Sequence, residues 1–345
     1  MKILLSISLS LIIYSCSFAQ NRNIYFFRND GAEVRQQDSA DFTRIIQEPD
    51  SGSTYFKVFE FYPDNSKKFV GQVSSFEPKL IYEGATMLYH KNGKKATQVS
   101  YLFGIRVGLA YYFYSNGRVK KEVDFSPEVT DLVNSHDKLE KSKLLAYFDS
   151  AGTQTVKDGS GFAILTDEED MLREEGGYLH GLKDGIWKGL YNDSGHYYEE
   201  HYKNGVLTSG IQTTADNQKL NYLKIEEPPQ YSKTGDKSFH SFLIKNIDFS
   251  NNTRGLGTMQ KISLHFTVKA DGNISNIKAT TSSVAMDQEI VNILKRSGKW
   301  IPGKFRGEPI DAKHAINLGF NRTLNIIETQ QIPRGSQPSR TRRNF

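Results

Sequence analysis

The sequence predicts a mainly β protein with an α+β part, in which an N-terminal antiparallel sheet of repeated β-hairpins precedes a small α+β domain. Three observations predict it. Asn-Gly turns recur at a fixed offset, apolar and polar residues alternate on both sides of one well-capped helix, and a tryptophan lies in a stretch rich in Pro and Gly near the C-terminus. Aromatic residues make up 12% of the 345 residues, and 28 are Gly. This composition favours strands and tight turns.

The first residues, 1–19, predict a secretory signal peptide. Lys2 precedes a short apolar stretch, and the small residues Ser17 and Ala19 suit cleavage after Ala19. The stretch is shorter than the roughly 20 residues that span a bilayer. We therefore expect a periplasmic or cell-envelope protein. The alternative is a lipoprotein acylated at Cys16, the single cysteine, and only in that case do we expect membrane attachment.

Internal repeats follow an N-terminal lead-in segment, 20–54, and occupy residues 55–214. The segment Tyr89–Lys94 recurs as Phe113–Arg118, 24 residues later, and both contain Asn-Gly. A second element, Tyr-x-x-Gly, begins at Tyr101, Tyr178 and Tyr202. Asn-Gly favours a type I′ hairpin turn because both central residues need positive φ. Each unit is thus predicted to be a hairpin that shares an aromatic core with its neighbours.

These units resemble MORN-type repeats. The repeat pattern is interrupted near residues 126–145, where Ser126-Pro127-Glu128 is typical of a helix start. We therefore expect a short helical insertion there. Residues 215–236 contain Pro228 and Pro229 among polar residues without periodicity. This composition predicts a linker between domains.

Residues 237–325 predict a compact α+β domain. An apolar stripe between Lys237 and Phe249 indicates a helix, and a strand, an Asp-Gly turn and a returning strand follow it. The next helix has a serine cap, acidic residues in its first turns and Gly298 at its end. Alternation from Ala312 to Phe320 predicts a third strand. Helices on one face of a three-stranded antiparallel sheet are expected.

The stretch between the second helix and the third strand is predicted to be a fixed, irregular crossing. Proline lacks an amide donor and glycine permits positive φ. Its structural residues are Trp300, Pro302, Gly303, Gly307 and Pro309.

With the preceding Phe242-Leu243-x-x-Asn246 and the alternating strand that ends at Asp271-Gly272, this pattern resembles the C-terminal domain of TonB, the periplasmic energy-transducing protein. The resemblance implies binding of an extended peptide by strand addition at the edge of the last strand. The outward residues Lys313, Ala315 and Asn317 are then the candidate contacts.

The partner implied by the resemblance is a protein, such as an outer-membrane transporter or another envelope protein. Two alternatives stay open. In the first, the chain is a structural, envelope-associated repeat scaffold with the TonB-like domain as a cap. In the second, it is a component of TonB-dependent transmembrane transport.

No enzymatic activity is expected, because the sequence contains no His-Glu-x-x-His, Gly-x-Ser-x-Gly or Walker motif. We expect no catalytic residues, no cofactor and no metal site. The formal charge of +5 is modest, and much of it lies at the C-terminal end. Residues 326–345 are therefore predicted to be a disordered basic tail, and no nucleic-acid partner is expected.

Overall fold

The computed structural model describes residues 22–126, 142–166, 172–191, 194–231, 236–247, 259–281, 283–321 and 326–330. The predicted signal peptide and Cys16 lie outside these residues. The described chain is mainly β and forms two compact units. The first contains the described residues up to Val107 together with Ser115–Gly117, and the second contains Gly108–Tyr114 and the described residues from Arg118 onward.

The first unit is an antiparallel sheet. Its strands are β1 (Arg22–Phe27), β2 (Glu33–Val34), β3 (Phe42–Gln47), β4 (Phe56–Phe61), β5 (Lys67–Ser75), β6 (Ile81–Tyr89) and β7 (Lys95–Leu102). β1 pairs with β2 and β3, and from β3 to β7 each strand pairs with the next. The predicted lead-in, 20–54, thus contributes three strands to this sheet. The guanidinium of Arg44 lies 4.5 Å from the ring centre of Phe27 and stabilises their packing.

The second unit continues the hairpin pattern. Its first strand is β8 (Ile105–Phe113), which lies in the second unit from Gly108 onward. The strands that follow are β9 (Val119–Asp124), β10 (Lys143–Phe148), β11 (Gln154–Lys157), β12 (Ser160–Thr166), β13 (Leu172–Leu179), β14 (Leu182–Tyr191), β15 (Tyr197–Lys203), β16 (Val206–Thr213) and β17 (Lys219–Tyr222). Each strand pairs antiparallel with the next. The long antiparallel hairpin sheet is therefore confirmed. Of the predicted helical insertion near 126–145, residues 127–141 lie outside the described residues, and its end belongs to β10.

Two turn types alternate along the hairpins. At Asn92-Gly93 only the glycine has positive φ, and the N–H of His90 donates to the carbonyl of Lys94. The predicted type I′ geometry is wrong there, because the Asn92 side chain accepts from the Lys94 amide and keeps Asn92 in an ordinary conformation. Both central residues have positive φ instead in the Tyr-x-x-Gly elements. These pairs are Phe103-Gly104, His180-Gly181 and Asn204-Gly205.

Residues from Glu226 onward form what we call the C-terminal module. Its elements are β18 (Glu226–Glu227), α1 (Asp236–Asn246), β19 (Met259–Val268), β20 (Ile274–Thr280), α2 (Val284–Lys295), β21 (Gly303–Phe305), β22 (Glu308–Ile310), β23 (Ala312–Asn321) and β24 (Ile326–Gln330). One sheet has the order β20-β19-β23-β24, and a second has the order β18-β21-β22. The predicted helices and the three predicted strands are present.

The structure differs from the expected linker at 215–236. β17 pairs with β16, and β18 pairs with β21. The segment therefore contributes backbone hydrogen bonds to the sheets before and after it. Its polar residues lack the longer alternation by which a strand is recognised in sequence, since these strands contain four and two residues.

The α2 helix begins and ends as its sequence predicts. The side chain of Ser283 accepts a hydrogen bond from the Met286 amide, and Gly298 after the helix has φ +80°. Its apolar stripe packs with α1 and β19 in one buried core, which contains Phe239, Leu243, Leu264, Ile290 and Leu294. This core holds the inner face of β23, the strand of the candidate site.

Candidate functional site

The predicted binding edge belongs to β23, which pairs with β19 along its whole length, from Ala312 opposite Val268 to Asn321 opposite Met259. Lys313 is exposed, and Ala315 and Asn317 are half-buried. The intervening Ile316 and Leu318 are buried in the core. Because side chains alternate across a strand, the three candidates share the face away from the core.

The other side of β23 is covered in part by β24. Asn317 pairs with Gln330 and Asn321 pairs with Ile326. The sheet thus has four strands where three were predicted, and residues 326–330 are a strand and not part of a tail. Their backbone pairs with β23, which satisfies N–H and C=O groups that an edge would leave unpaired.

An uncovered stretch of β23 remains between Ala312 and Ile316. In the part of the chain that the structure describes, the pairing of β24 with β23 begins at Asn317, whereas β19 pairs with β23 from Ala312 onward. Lys313 and Ala315 lie in it, whereas Asn317 lies under β24. The three predicted contacts are therefore on one face, but only two are on uncovered backbone.

The outward face of β19, β20 and β23 is basic, whereas the fourth strand of the sheet, β24, contains Glu328. Lys313 in β23 pairs with Thr267 in β19. Its side chain lies on the same side of the sheet as those of His265 in β19 and Lys278 in β20, which are direct partners across those two strands. Lys261 lies on that side of β19 as well. None of β19, β20 and β23 contains an Asp or a Glu. The face is therefore suited to an acidic ligand.

Trp300 fixes the position of β23 from the inner side. Its backbone N–H donates to the carbonyl of Gly272 at 2.8 Å, and its indole N–H donates to the hydroxyl of Ser297 at 3.1 Å. The ring is 3% exposed and lies 4.9 Å from Phe266 and 5.6 Å from His314, centre to centre. These contacts bury the indole ring and bind the backbone of Trp300 to the turn between β19 and β20.

The rest of the Pro- and Gly-rich stretch forms a hairpin, not the predicted irregular crossing. Gly303 in β21 pairs with Ile310 in β22, and Pro309 pairs with Lys304. Proline is tolerated because β22 is an edge strand of its sheet. A Cβ on Gly303 would lie 2.9 Å from that of Ala312, so glycine is required for close packing beside β23.

The hairpin turns at Arg306-Gly307, where φ is +48° and +81°. Positive φ at both central residues is the type I′ geometry. Arg306 is only 5% exposed, and its Nε donates to a carboxylate oxygen of Glu200 in β15 at 2.8 Å. Its guanidinium lies 3.6 Å from the ring centre of Tyr198, and its Nη1 contacts the hydroxyl of Tyr191.

Two further tyrosines complete the surroundings of Glu200, which is fully buried. The hydroxyl of Tyr222 donates to one carboxylate oxygen at 2.8 Å, and that of Tyr202 donates to the other at 2.9 Å. Burial, and next the charge of Glu200, raise the pKa of both tyrosines, so their hydroxyls stay protonated and can donate. The carboxylate thus has a partner for each oxygen.

Sequence reasoning missed the Arg306–Glu200 contact, since 106 residues separate the two. One signal is present in β15. Tyr198, Glu200 and Tyr202 have the spacing that places them on one strand face. A carboxylate on an aromatic face predicts a buried charge that requires a partner.

In the described ranges no group of three or more His, Cys, Asp or Glu side chains is arranged to hold a metal ion. Neither described helix has the length and apolar character needed to cross a membrane. His265 lies in β19, and His314 lies in β23.

We compared the chain with models of known protein families and with curated proteins, and neither comparison gave a match.

Proposed function

We propose that this chain is an exported, non-enzymatic interaction protein that binds an extended peptide by adding it as a strand to β23. The observation that carries the proposal is the uncovered stretch from Ala312 to Ile316. Unpaired N–H and C=O groups of an edge are satisfied by a partner strand. The resemblance of the C-terminal module to TonB, and of the hairpin sheet to MORN-type repeats, supports an envelope protein as partner, such as an outer-membrane transport protein. Action in the periplasm or envelope follows from the predicted signal peptide.

β24 pairs with β23 between Asn317 and Asn321. A visiting strand can occupy the edge of β23 before Asn317, or it can compete with β24 for Asn317 to Asn321.

The chemistry of the peptide follows from the basic face beside this edge. A strand that pairs with β23 directs every second side chain toward the side of Lys313. A carboxylate beside Lys313 lies next to its ammonium group, and β19, β20 and β23 contribute no acidic residue. We therefore propose an extended peptide with acidic residues at alternate positions.

A binding measurement with two peptides tests the proposal. The first carries alternating acidic residues, and the second has the same sequence with N-methyl groups on the amides that would pair with β23. The proposal expects binding of the first peptide alone, because N-methylation removes the hydrogen bonds but keeps the charges. Equal binding of both peptides would contradict strand addition.

A charge-reversal variant tests whether the acidic side chains of the bound peptide contact Lys313. Lys313→Glu should weaken the acidic peptide about fivefold, since an exposed ion pair contributes up to about 1 kcal/mol. Lys299→Glu is the matched control, because Lys299 is exposed and lies outside all three strands. Equal effects of the two variants would argue against contact at Lys313.

The second candidate function is a structural scaffold in which the C-terminal module caps the repeat sheet. The contact of Arg306 with Glu200 favours it, since the end of a repeat array needs a cover over its core. Hydrogen exchange of the full chain discriminates. The cap function expects Arg306→Ala to speed amide exchange in β15–β17 with no peptide present, and unchanged exchange there would exclude it.

A further inference from the structure

Buried carboxylates recur on the hairpin strands, and two of the four described, Glu60 and Glu174, have a cation from a neighbouring strand. In the first unit, Glu60 accepts from Arg44 at 2.6 Å and from Lys68 at 2.9 Å. In the second unit, Glu174 accepts from Lys183 at 2.7 Å. These charges are balanced within the hairpin sheet itself.

Glu200 differs because its cation comes from the C-terminal module. Arg306 lies at the tip of the β21–β22 hairpin, and no residue of β14–β17 is its chain neighbour. Among the described side chains, the other partners of Glu200 are the neutral hydroxyls of Tyr202 and Tyr222. Without Arg306, the repeat sheet would present a buried carboxylate with no cation.

The surroundings of this carboxylate match a guanidinium rather than an ammonium group. The planar group of Arg306 stacks on Tyr198 at 3.6 Å, while its edge contacts Glu200 and the hydroxyl of Tyr191. A guanidinium has several donors in one plane and two apolar faces, whereas an ammonium is a strongly hydrated point charge. We call Glu200, Tyr191, Tyr198, Tyr202 and Tyr222 the guanidinium cage.

Further polar contacts lie beside the cage. The amide of Arg306 donates to the carbonyl of Ile225 at 2.7 Å, and Gln212 donates to Glu308 at 2.9 Å. His196 lies 3.5 Å from the same carboxylate of Glu308. The buried charge that the C-terminal module contributes to its contact with β14–β17 is the side chain of Arg306.

We propose that the repeat sheet carries a binding site for a guanidinium group, and that Arg306 occupies it as an internal ligand that latches the C-terminal module to the sheet. The site is defined by the cage and not by the hairpin. Its ligand class is an arginine side chain or a small alkylguanidinium. This inference concerns β14–β17 and is independent of peptide binding at β23.

Chemical rescue of the full-length Arg306→Ala variant tests the site. We expect the variant to melt below the natural chain and ethylguanidinium chloride to raise its melting temperature saturably. At ten times the dissociation constant the expected rise is roughly 3 °C. Ethylammonium chloride at equal concentration, which matches charge and ionic strength, should have no such effect.

Two variants make the result specific to the cage. The double variant Arg306→Ala, Glu200→Gln should lose the response, because its cage has no carboxylate. Arg173→Ala, which removes an arginine paired with Glu175 at the surface, should show none. An unchanged melting temperature of Arg306→Ala, equal rescue by both salts, or rescue that persists in the double variant would overturn the inference.

If Arg306→Ala does not fold without added salt, its refolding yield is measured in place of its melting temperature, with ethylguanidinium chloride and ethylammonium chloride compared as before. A yield that rises only in ethylguanidinium supports the cage, and equal yields in the two salts refute it.

Discussion

Trp187 in β14 lies flat over Gly176 in β13, its direct partner across the two strands. A Cβ on Gly176 would come within 2.3 Å of the indole ring. The same relationship recurs twice, with Tyr198 over Gly189 and Tyr222 over Gly210. Glycine therefore makes room for each large ring on the buried face of the hairpin sheet.

The substitution Gly176→Ala tests this packing. The methyl group cannot fit without displacing the fully buried Trp187, so we expect a loss of about 1–3 kcal/mol in the free energy of unfolding. Urea denaturation of the full chain measures it. Gly177→Ala is the matched control, since a Cβ there lies 3.2 Å from one carbonyl oxygen and meets no ring. An equal loss in both variants would show that the ring is not the cause.

The buried ion pair gives a second prediction. Glu200→Gln should lower the free energy of unfolding by about 3–5 kcal/mol, because it leaves the buried guanidinium of Arg306 without its counter-charge. Chemical denaturation checks the loss. The adjacent Glu199→Gln is the control, since Glu199 is about half exposed and should change stability by less than about 1 kcal/mol. A small loss at Glu200 would mean that the pair is solvated.

Acid stability should depend on Glu174. Burial acts to raise the pKa of this carboxyl, but Lys183 outweighs it, and the pKa lies below its ordinary value of 4.5. A depressed pKa means that the carboxylate stabilises the fold above pH 4.5, and that this stabilisation is lost as the pH falls. Glu174→Gln should therefore flatten the decline of the melting temperature below that pH. An unchanged decline would assign the acid sensitivity to other groups.

Alkaline stability should depend on Tyr82 in the first unit. Burial, and next the charge of Glu60, raise its pKa from 10.0 to about 12. A raised pKa means that the neutral form stabilises the fold fully below pH 10 and that this contribution is lost toward pH 12. In Tyr82→Phe the loss of melting temperature over this range should be smaller. The same substitution at exposed Tyr55 is the control, and an equal change there would contradict the prediction.

Local patterns allowed much of the fold to be predicted. The strand β19 and the helix α2 were predictable because alternation and capping residues act over a few neighbouring positions. The hairpin repeats were predictable from recurring glycines, although the turn type at Asn92-Gly93 was not, since a side-chain hydrogen bond decides it.

Long-range pairing accounts for what the sequence did not reveal. β24 is five residues long and precedes a basic segment, so its composition indicates a tail, and only pairing with β23 makes it a strand. Of the two strands in the predicted linker, β18 likewise has a distant partner, β21, whereas β17 pairs with its chain neighbour β16. Arg306 and Glu200 meet because a turn places one against the other, which no local pattern encodes.

Amide hydrogen exchange of the full chain tests strand addition at the edge of β23 most directly. With an extended acidic peptide present, we predict slower exchange at alternate amides between Ala312 and Ile316, and unchanged exchange with the N-methylated peptide. Protection that is absent from this stretch, or that is the same with both peptides, would contradict strand addition at β23.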